Sequence, residues 1–379
     1  MRHHKYKQDY KFIKEPIEFN KYTERSVLQY CVGATLYMPA KKNFFDIIVN
    51  NKIPGLTSMV MCFEDAISED EIPAAEDNAI NLLDKINIEM KKGSLSINDI
   101  PLMFFRARSP IQFKNFTNRL TQEHARIIAG FVFPKLTTNN GYEYLSHLKC
   151  LNDDLGEILY GMPILESSEI AFEETRIYEL TGIKNLLRPY HELILNIRVG
   201  ATDFSSCFGV RRGIDHSIYD IVTVRDCLAD ILNFLSREKD DYVLSAPVWE
   251  YFLADKNISL PNLLESDIHK SLLKRNKIIN EAVDGLLREV ILDKANGFIG
   301  KTIIHPSHLK YVNAMQSVTR EEYDDALQIL QTNGGVIKSA KSNKMNEINP
   351  HIYWAKRVFS RAEAYGVIEN ESSFAELFS

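Results

Sequence analysis

The chain is poor in the features that would announce several common protein classes. Its five cysteines, Cys31, Cys62, Cys150, Cys207 and Cys227, are odd in number and form no CxxC pair. That spacing excludes a disulfide framework and a zinc knuckle, and unpaired thiols fit a reducing cytoplasm. There is no run of about 18 apolar residues, so no membrane span is expected. The opening stretch MRHHKYKQDYKFIKEP is basic but has no apolar core of a secretory signal. A formal net charge of −6 leaves no basic excess, which speaks against nucleic acid or an anionic membrane surface as partner. GxGxxG is absent, and a doubly wound dinucleotide-binding sheet needs that loop after its first strand. No histidine pair stands at zinc-ligand spacing, and no internal repeat or low-complexity tract interrupts the chain. What remains is ordinary globular composition, 45% hydrophobic over 379 residues, enough for one large domain or two smaller ones.

Eight short apolar runs recur along this chain, with helical segments between them. They are CVGATLYMPA (31–40), SMVMCFEDA (58–66), PLMFFRARSP (101–110), IAGFVFPKL (128–136), YGMPILES (160–167), LILNIRVGATDF (193–204), DYVLSAPVWEYF (241–252) and GFIGKTIIHP (297–306). Most lack polar alternation, as expected of parallel strands covered on both faces. Stretches such as 71–86 and 223–238 carry amphipathic helical spacing. Strand–helix alternation and a count of eight predict an α/β fold, a (β/α)8 TIM barrel. The expected organisation is an N-terminal extension (1–27), a barrel (28–330) and a C-terminal lid or oligomer-contact segment (331–379). Residues 253–277 read as a helical insertion after the seventh strand. In the C-terminal segment 332–350 is loop-rich, while 351–367 has helical spacing with an apolar stripe of Trp354, Val358 and Phe359.

Charge collects where the strands end. Glu64 and Asp65 follow the second run, and Arg106 and Arg108 close the third. Lys135 follows the fourth, Glu166 the fifth and Asp203 the sixth, and the last run ends at His305. In a parallel barrel these ends ring one mouth, where function concentrates. A carboxylate at the end of the buried run YGMPIL is costly to desolvate unless something positive faces it. Glu166 and Asp203 on neighbouring strands repel each other unless a cation lies between them. A hard divalent ion, Mg²⁺ or alternatively Mn²⁺, suits two carboxylates with water or substrate at its other positions.

In their order, the phrases CFEDAISEDE, FFRARSP, GFVFPK, MPILES, VGATDFSSCFG and GFIGKTIIHPSHLKYVN resemble the HpcH/HpaI aldolase and citrate lyase β-subunit family over about residues 30–330. The branch they look closest to is found in stress and tellurite-resistance gene clusters. The resemblance implies a Mg²⁺-dependent barrel enzyme that makes or breaks a carbon–carbon bond beside a carbonyl. It places the metal on Glu166 and Asp203, the substrate-binding arginine on Arg106, and an acidic pair on Glu64 and Asp65. Arg108 and Lys135 add positive charge, which suits a phosphorylated or multiply carboxylated substrate. The first loop departs from the family's pattern: Ala40 replaces its glycine and no second proline follows. A coenzyme A thioester substrate therefore stays open, with Lys41 and Lys42 as the residues to meet its phosphate. Arg211 and Arg212 either enrich the mouth or pair with surface acids. The phrase Lys344-Met345-Asn346-Glu347 resembles a family lid motif that reaches a neighbouring subunit's site, which makes Glu347 a candidate catalytic residue in trans and implies a homo-oligomer. The expected function is a carbon–carbon lyase or aldolase acting on a small carboxylated molecule. The alternatives are a metal-dependent thioester hydrolase or isomerase on the same barrel, and a non-catalytic regulatory barrel.

Overall fold

Eight short parallel strands form the centre of the structure, a computed structural model that describes residues 1–65, 67–252, 279–339, 341 and 343–378. They are β1 (Ala34–Pro39), β2 (Ser58–Cys62), β3 (Leu102–Arg106), β4 (Gly130–Phe133), β5 (Tyr160–Leu165), β6 (Ile197–Val199), β7 (Leu244–Ser245) and β8 (Lys301–Ile303). Neighbours in sequence are neighbours in the sheet, and β1 also pairs with β8. Backbone bonds close the ring between β7 and β8: Ile299 N–H donates to the Leu244 carbonyl at 2.8 Å and Ala246 N–H to that of Gly300 at 3.1 Å. The expected (β/α)8 barrel is therefore the fold observed. The segment 253–277, read as a helical insertion, lies outside the described residues.

Period-two alternation explains why the runs look uniformly apolar. On β3, Leu102 and Phe104 join an inner cluster with Val60, Val132, Met162 and Ile164. Met103 and Phe105 join the outer layer, where Phe131 and Phe133 meet Phe113 and Tyr144 of the surrounding helices. Both faces are buried, so neither alternates with polar residues. The strands are shorter than the runs that announce them, most of all β6 and β7. At Gly200 the chain already turns into the helix Ala201–Cys207, so Asp203 sits on the first turn of that helix instead of on a strand tip.

The two termini are woven together under the barrel. Ile13 N–H donates to the Val367 carbonyl and Val367 N–H to that of Lys14, each at 2.8 Å. Val367–Ile368 also pairs with Val318–Thr319. Residues 332–350, read as loop, contain a two-stranded ribbon of Val336–Lys338 against Met345–Glu347. The helix Ile348–Tyr365 then runs beneath the strand starts. Tyr365 Oη donates to the Tyr30 carbonyl at 2.8 Å, ahead of β1, and Arg357 Nη2 to that of Gly297 at 2.5 Å, ahead of β8. Tyr353 Oη donates to the Ser236 carbonyl at 3.2 Å, ahead of β7. This segment, expected as a lid or oligomer contact, thus lies away from the mouth of its own chain. The apolar face of the helix, with Val358 and Ala362 buried, packs on Val318, Ala326 and Ile329 of the preceding C-terminal elements, while Ala364 and Tyr365 join the barrel's inner cluster.

Candidate active site

A cavity of about 420 Å³ opens at the carboxyl ends of the strands, lined by Asp65, Arg106, Glu166, Arg198 and Asp203 among others. Glu166 follows the last residue of β5 and is buried. Its place depends on Gly200: a Cβ there would lie 2.6 Å from the Glu166 Cβ and 3.0 Å from its Cδ, and closer still to Oε2. Oε1 accepts from the Lys135 backbone N–H at 3.0 Å and from Arg106 Nη2 at 3.2 Å. Lys135 presents that N–H from a left-handed conformation, φ 47°, which is uncommon without glycine and marks a backbone held in place by its surroundings.

Arg106, at the end of β3, gathers three carboxylates. Its Nη2 lies 2.6 Å from Glu64 Oε2 as well as near Glu166, and its Nη1 lies 3.0 Å from Asp65 Oδ2. Lys135 Nζ lies 2.9 Å from Glu64 Oε1. Although burial opposes its charge, these neighbours raise the Arg106 pKa, beginning with Glu166. Burial pushes the Glu166 carboxyl up to about 7, with Arg106 pulling against it and Asp203 adding to the rise. Burial likewise raises Glu64. Asp65 is lowered: burial opposes its charge too, but the hydrogen bond with Glu64 and the charges of Arg106 and Lys135 prevail.

Glu166 thus has a cationic partner within the chain, an answer that the sequence reading left to a metal alone. That partner occupies Oε1; Oε2, turned towards Gly200, takes no hydrogen bond, and Asp203 makes neither hydrogen bond nor ion pair among the described residues. No group of three or more His, Cys, Asp and Glu side chains suited to a metal exists among the described residues. Two oxygen donors facing open space suit a hard ion that keeps most of its positions for water or substrate.

The other predicted site residues fall elsewhere. Lys41 is exposed and pairs with Glu71 at 2.9 Å, while Lys42 is exposed and offers its carbonyl to Asn78; neither lines the cavity. Arg108 turns back to the Ile67 carbonyl at 3.1 Å and ties down the loop after β2. Arg212 is buried against Glu289 and stacks on Trp249, a structural role. Glu347 is exposed at the end of the C-terminal ribbon and lines no part of the cavity of its own chain. Three residues that sequence reasoning passed over belong to the site: Tyr37, Gly200 and Arg198. For Arg198 a signal was present, a single arginine inside the apolar run LILNIRVG.

A parallel barrel with carboxylates and an arginine around one mouth has the form of a barrel enzyme whose site can stabilise developing negative charge. More particularly, the chain belongs to the family described as C–C bond lyase of the TIM-barrel fold, whose model matches residues 26–367. Among solved structures it is similar to CitE of Mycobacterium tuberculosis in complex with magnesium, acetoacetate and coenzyme A, with 16% identity, 88% of this chain and 99% of that one covered, and a TM-score of 0.53. It is also similar to the citrate lyase beta subunit of M. tuberculosis complexed with oxaloacetate and magnesium, at 16% identity, 75% and 96% coverage and a TM-score of 0.46. A third is the Haloferax volcanii malate synthase pyruvate/acetyl-CoA ternary complex, at 12% identity, 75% and 69% coverage and a TM-score of 0.48. At 16% identity the likeness to the first of these speaks for the shared fold alone. A search of curated proteins found no match. The family agrees with the expectation of a carbon–carbon lyase.

Proposed function

We propose that this lyase is Mg²⁺-dependent and cleaves, or in reverse forms, a carbon–carbon bond in a small carboxylated molecule through an enolate. The observation that carries the reading is the pair Glu166 and Asp203, each with unused carboxylate oxygen facing one cavity beside Arg106. Magnesium in the complexes of the CitE relatives supports the choice of ion, and Mn²⁺ would fit the same oxygen donors. Glu166 and Asp203 would hold it, and when bound it supplies Lewis acidity to a carbonyl oxygen. Arg106, kept charged by three carboxylates, places a positive group where the enolate charge develops; its Nε–H has no partner among the described residues and can donate. Asp65 lines the cavity in its anionic form and accepts the substrate hydroxyl proton as the carbon–carbon bond breaks. The bonding electrons pass to the carbon beside the carbonyl, and the proton returns to that carbon to complete the cycle. Glu64, behind it, fixes Arg106 and Lys135.

Coenzyme A, bound in one CitE relative, stays outside the reading, since Lys41 and Lys42 lie away from the cavity. We further infer cytoplasmic residence and a homo-oligomer. All five cysteines are free thiols, which suits a reducing compartment, and no helix among the described residues is long and apolar enough to cross a membrane. Glu347 is exposed away from its own mouth, so any catalytic part for it requires another chain. Sedimentation at micromolar concentration tests assembly, and a monomer would remove that part. For the site itself, crystals soaked in Mn²⁺ should show anomalous density within about 2.5 Å of both carboxylates. A metal-dependent screen of 2-oxo acids, sugar phosphates and acyl-CoA esters, read by mass spectrometry with Glu166→Ala as control, should reveal cleavage. No ion at either carboxylate, or turnover untouched in Glu166→Ala, sinks the reading.

A further inference from the structure

Six arginines and two lysines are buried in the described residues: Arg25, Arg106, Arg176, Arg198, Arg212, Arg361, Lys21 and Lys301. Seven have a carboxylate within 4.0 Å, from Glu157 beside Lys21 to Glu322 beside Arg361. Arg198 has none among the described residues. It stands on the inner face of β6, 1% exposed, at the floor of the mouth cavity. Nη1 donates to Thr35 Oγ1 at 3.2 Å and Nη2 to Thr302 Oγ1 at 2.7 Å, while Nε has no partner. The guanidinium lies 5.4 Å from the centroid of the Tyr37 ring; Tyr37 also lines the cavity, and its buried hydroxyl has no hydrogen-bond partner among the described residues. Two neutral hydroxyls and an aromatic face do not neutralise a buried cation, and an uncompensated one is among the most expensive groups a core can hold. A barrel layer that needed only volume would be filled by Val, Ile or Leu.

We propose that Arg198, with the Tyr37 hydroxyl, binds a second carboxylate of the substrate at the cavity floor, so that the enzyme selects dicarboxylates over monocarboxylates. The register sets the spacing. Arg198 pairs with Ile164, two residues before Glu166, so its backbone lies one barrel layer, about 7 Å, beneath that of Glu166. Arg106 is already shared among Glu64, Asp65 and Glu166, whereas Arg198 faces no carboxylate among the described residues. A short dianion would place its carbonyl at the upper level, beside Arg106, and its far carboxylate on Arg198. The ligand class rests on the function proposed above; the countercharge missing from Arg198 is independent of it.

The test uses the full-length protein with Mn²⁺, titrated by calorimetry with pyruvate, oxaloacetate, 2-oxoglutarate and inorganic phosphate. Wild type should bind at least one of the two dicarboxylates tenfold or more tighter than pyruvate. Arg198→Met should abolish that preference, leaving pyruvate and Mn²⁺ affinity within about threefold. Tyr37→Phe, which keeps the ring and its packing, should reduce the preference two- to fivefold, and it carries the test should Arg198→Met fail to fold. The preferred dicarboxylate should raise the melting temperature of wild type and leave that of Arg198→Met unmoved, a difference that a merely structural arginine would not produce. Equal binding of mono- and dicarboxylates by wild type, an intact preference in either variant, or phosphate binding as tightly as the best dicarboxylate overturns the proposal. Loss of Mn²⁺ binding in wild type would instead strike the metal reading, since the anion titrations can be repeated without the ion.

Discussion

Gly200→Ala isolates what positions Glu166. The backbone at Gly200 has φ −102° and ψ 79°, negative φ that alanine tolerates, so the substitution adds no left-handed strain. Its methyl group, however, would stand 2.6 Å from the Glu166 Cβ, against an ordinary carbon–carbon contact of about 3.5–4.0 Å. The side chain must therefore move by about 1 Å, several times the ~0.2 Å tolerance of a metal–ligand distance. Overpacking of this kind costs about 1–3 kcal/mol of stability, so the barrel should still fold with a lowered melting temperature. Metal affinity should fall by about 10- to 100-fold, the range seen when a ligand loses the partner that orients it. Calorimetric titration with Mn²⁺, run beside Glu166→Ala as the limiting case, reads the effect directly. A Gly200→Ala protein that binds Mn²⁺ within twofold of wild type would refute the cradle, the ligand assignment, or both; a matching loss in Glu166→Ala would preserve the ligand and discard only the cradle.

Arg106→Lys keeps the charge and loses the fork that spans Asp65, Glu64 and Glu166. Turnover should fall about 10²-fold while Mn²⁺ affinity stays within a fewfold, and unchanged turnover on the true substrate removes Arg106 from the chemistry. Glu322 carries an acid-sensitive joint. Burial opposes its charge, but Lys294, Arg361 and the Thr319 N–H hold its pKa down at about 2. A depressed carboxyl stabilises above its unfolded pKa of about 4.3 and loses that contribution as pH falls towards 2, here about 2–3 kcal/mol. Chemical denaturation between pH 5 and pH 2 should show this limb flattened in Glu322→Gln; an identical pH profile in the variant removes the joint. Truncation after Leu330 should give an insoluble or non-cooperative chain. It deletes the buried Val358, Tyr365, Phe374, Leu377 and Phe378, each worth about 1.5–3 kcal/mol of burial, against a total stability of about 5–15 kcal/mol. A soluble truncated protein with a sharp thermal transition would show that the floor packing is dispensable.

The sequence by itself determined the barrel and the composition of its mouth. Apolar runs of strand length separated by helical periodicity are local properties, written residue by residue into the chain, and parallel strands buried on both faces can hardly look otherwise. The charges at the ends of those runs were equally legible, because a strand delivers whatever follows it to the same rim. Glu64, Asp65, Arg106, Lys135 and Glu166 accordingly meet where the sequence places them.

Which charge meets which was decided only by tertiary structure. Lys41 and Arg108 follow strands as faithfully as Lys135 does, yet loop conformation turns them to Glu71 and to the Ile67 carbonyl. The stripe of the C-terminal helix shows that it must pack, but not on which end of the barrel; the contacts with Tyr30, Ser236 and Gly297 set that. Gly200 is an ordinary glycine until the register of β5 and β6 brings Glu166 against it. Arg198 is visible as a lone arginine in an apolar run, but its lack of a counter-ion among the described residues is a property of eight strands at once. An ion pair, a steric gap and a missing partner are relations between distant residues, and closure of the barrel is what creates them.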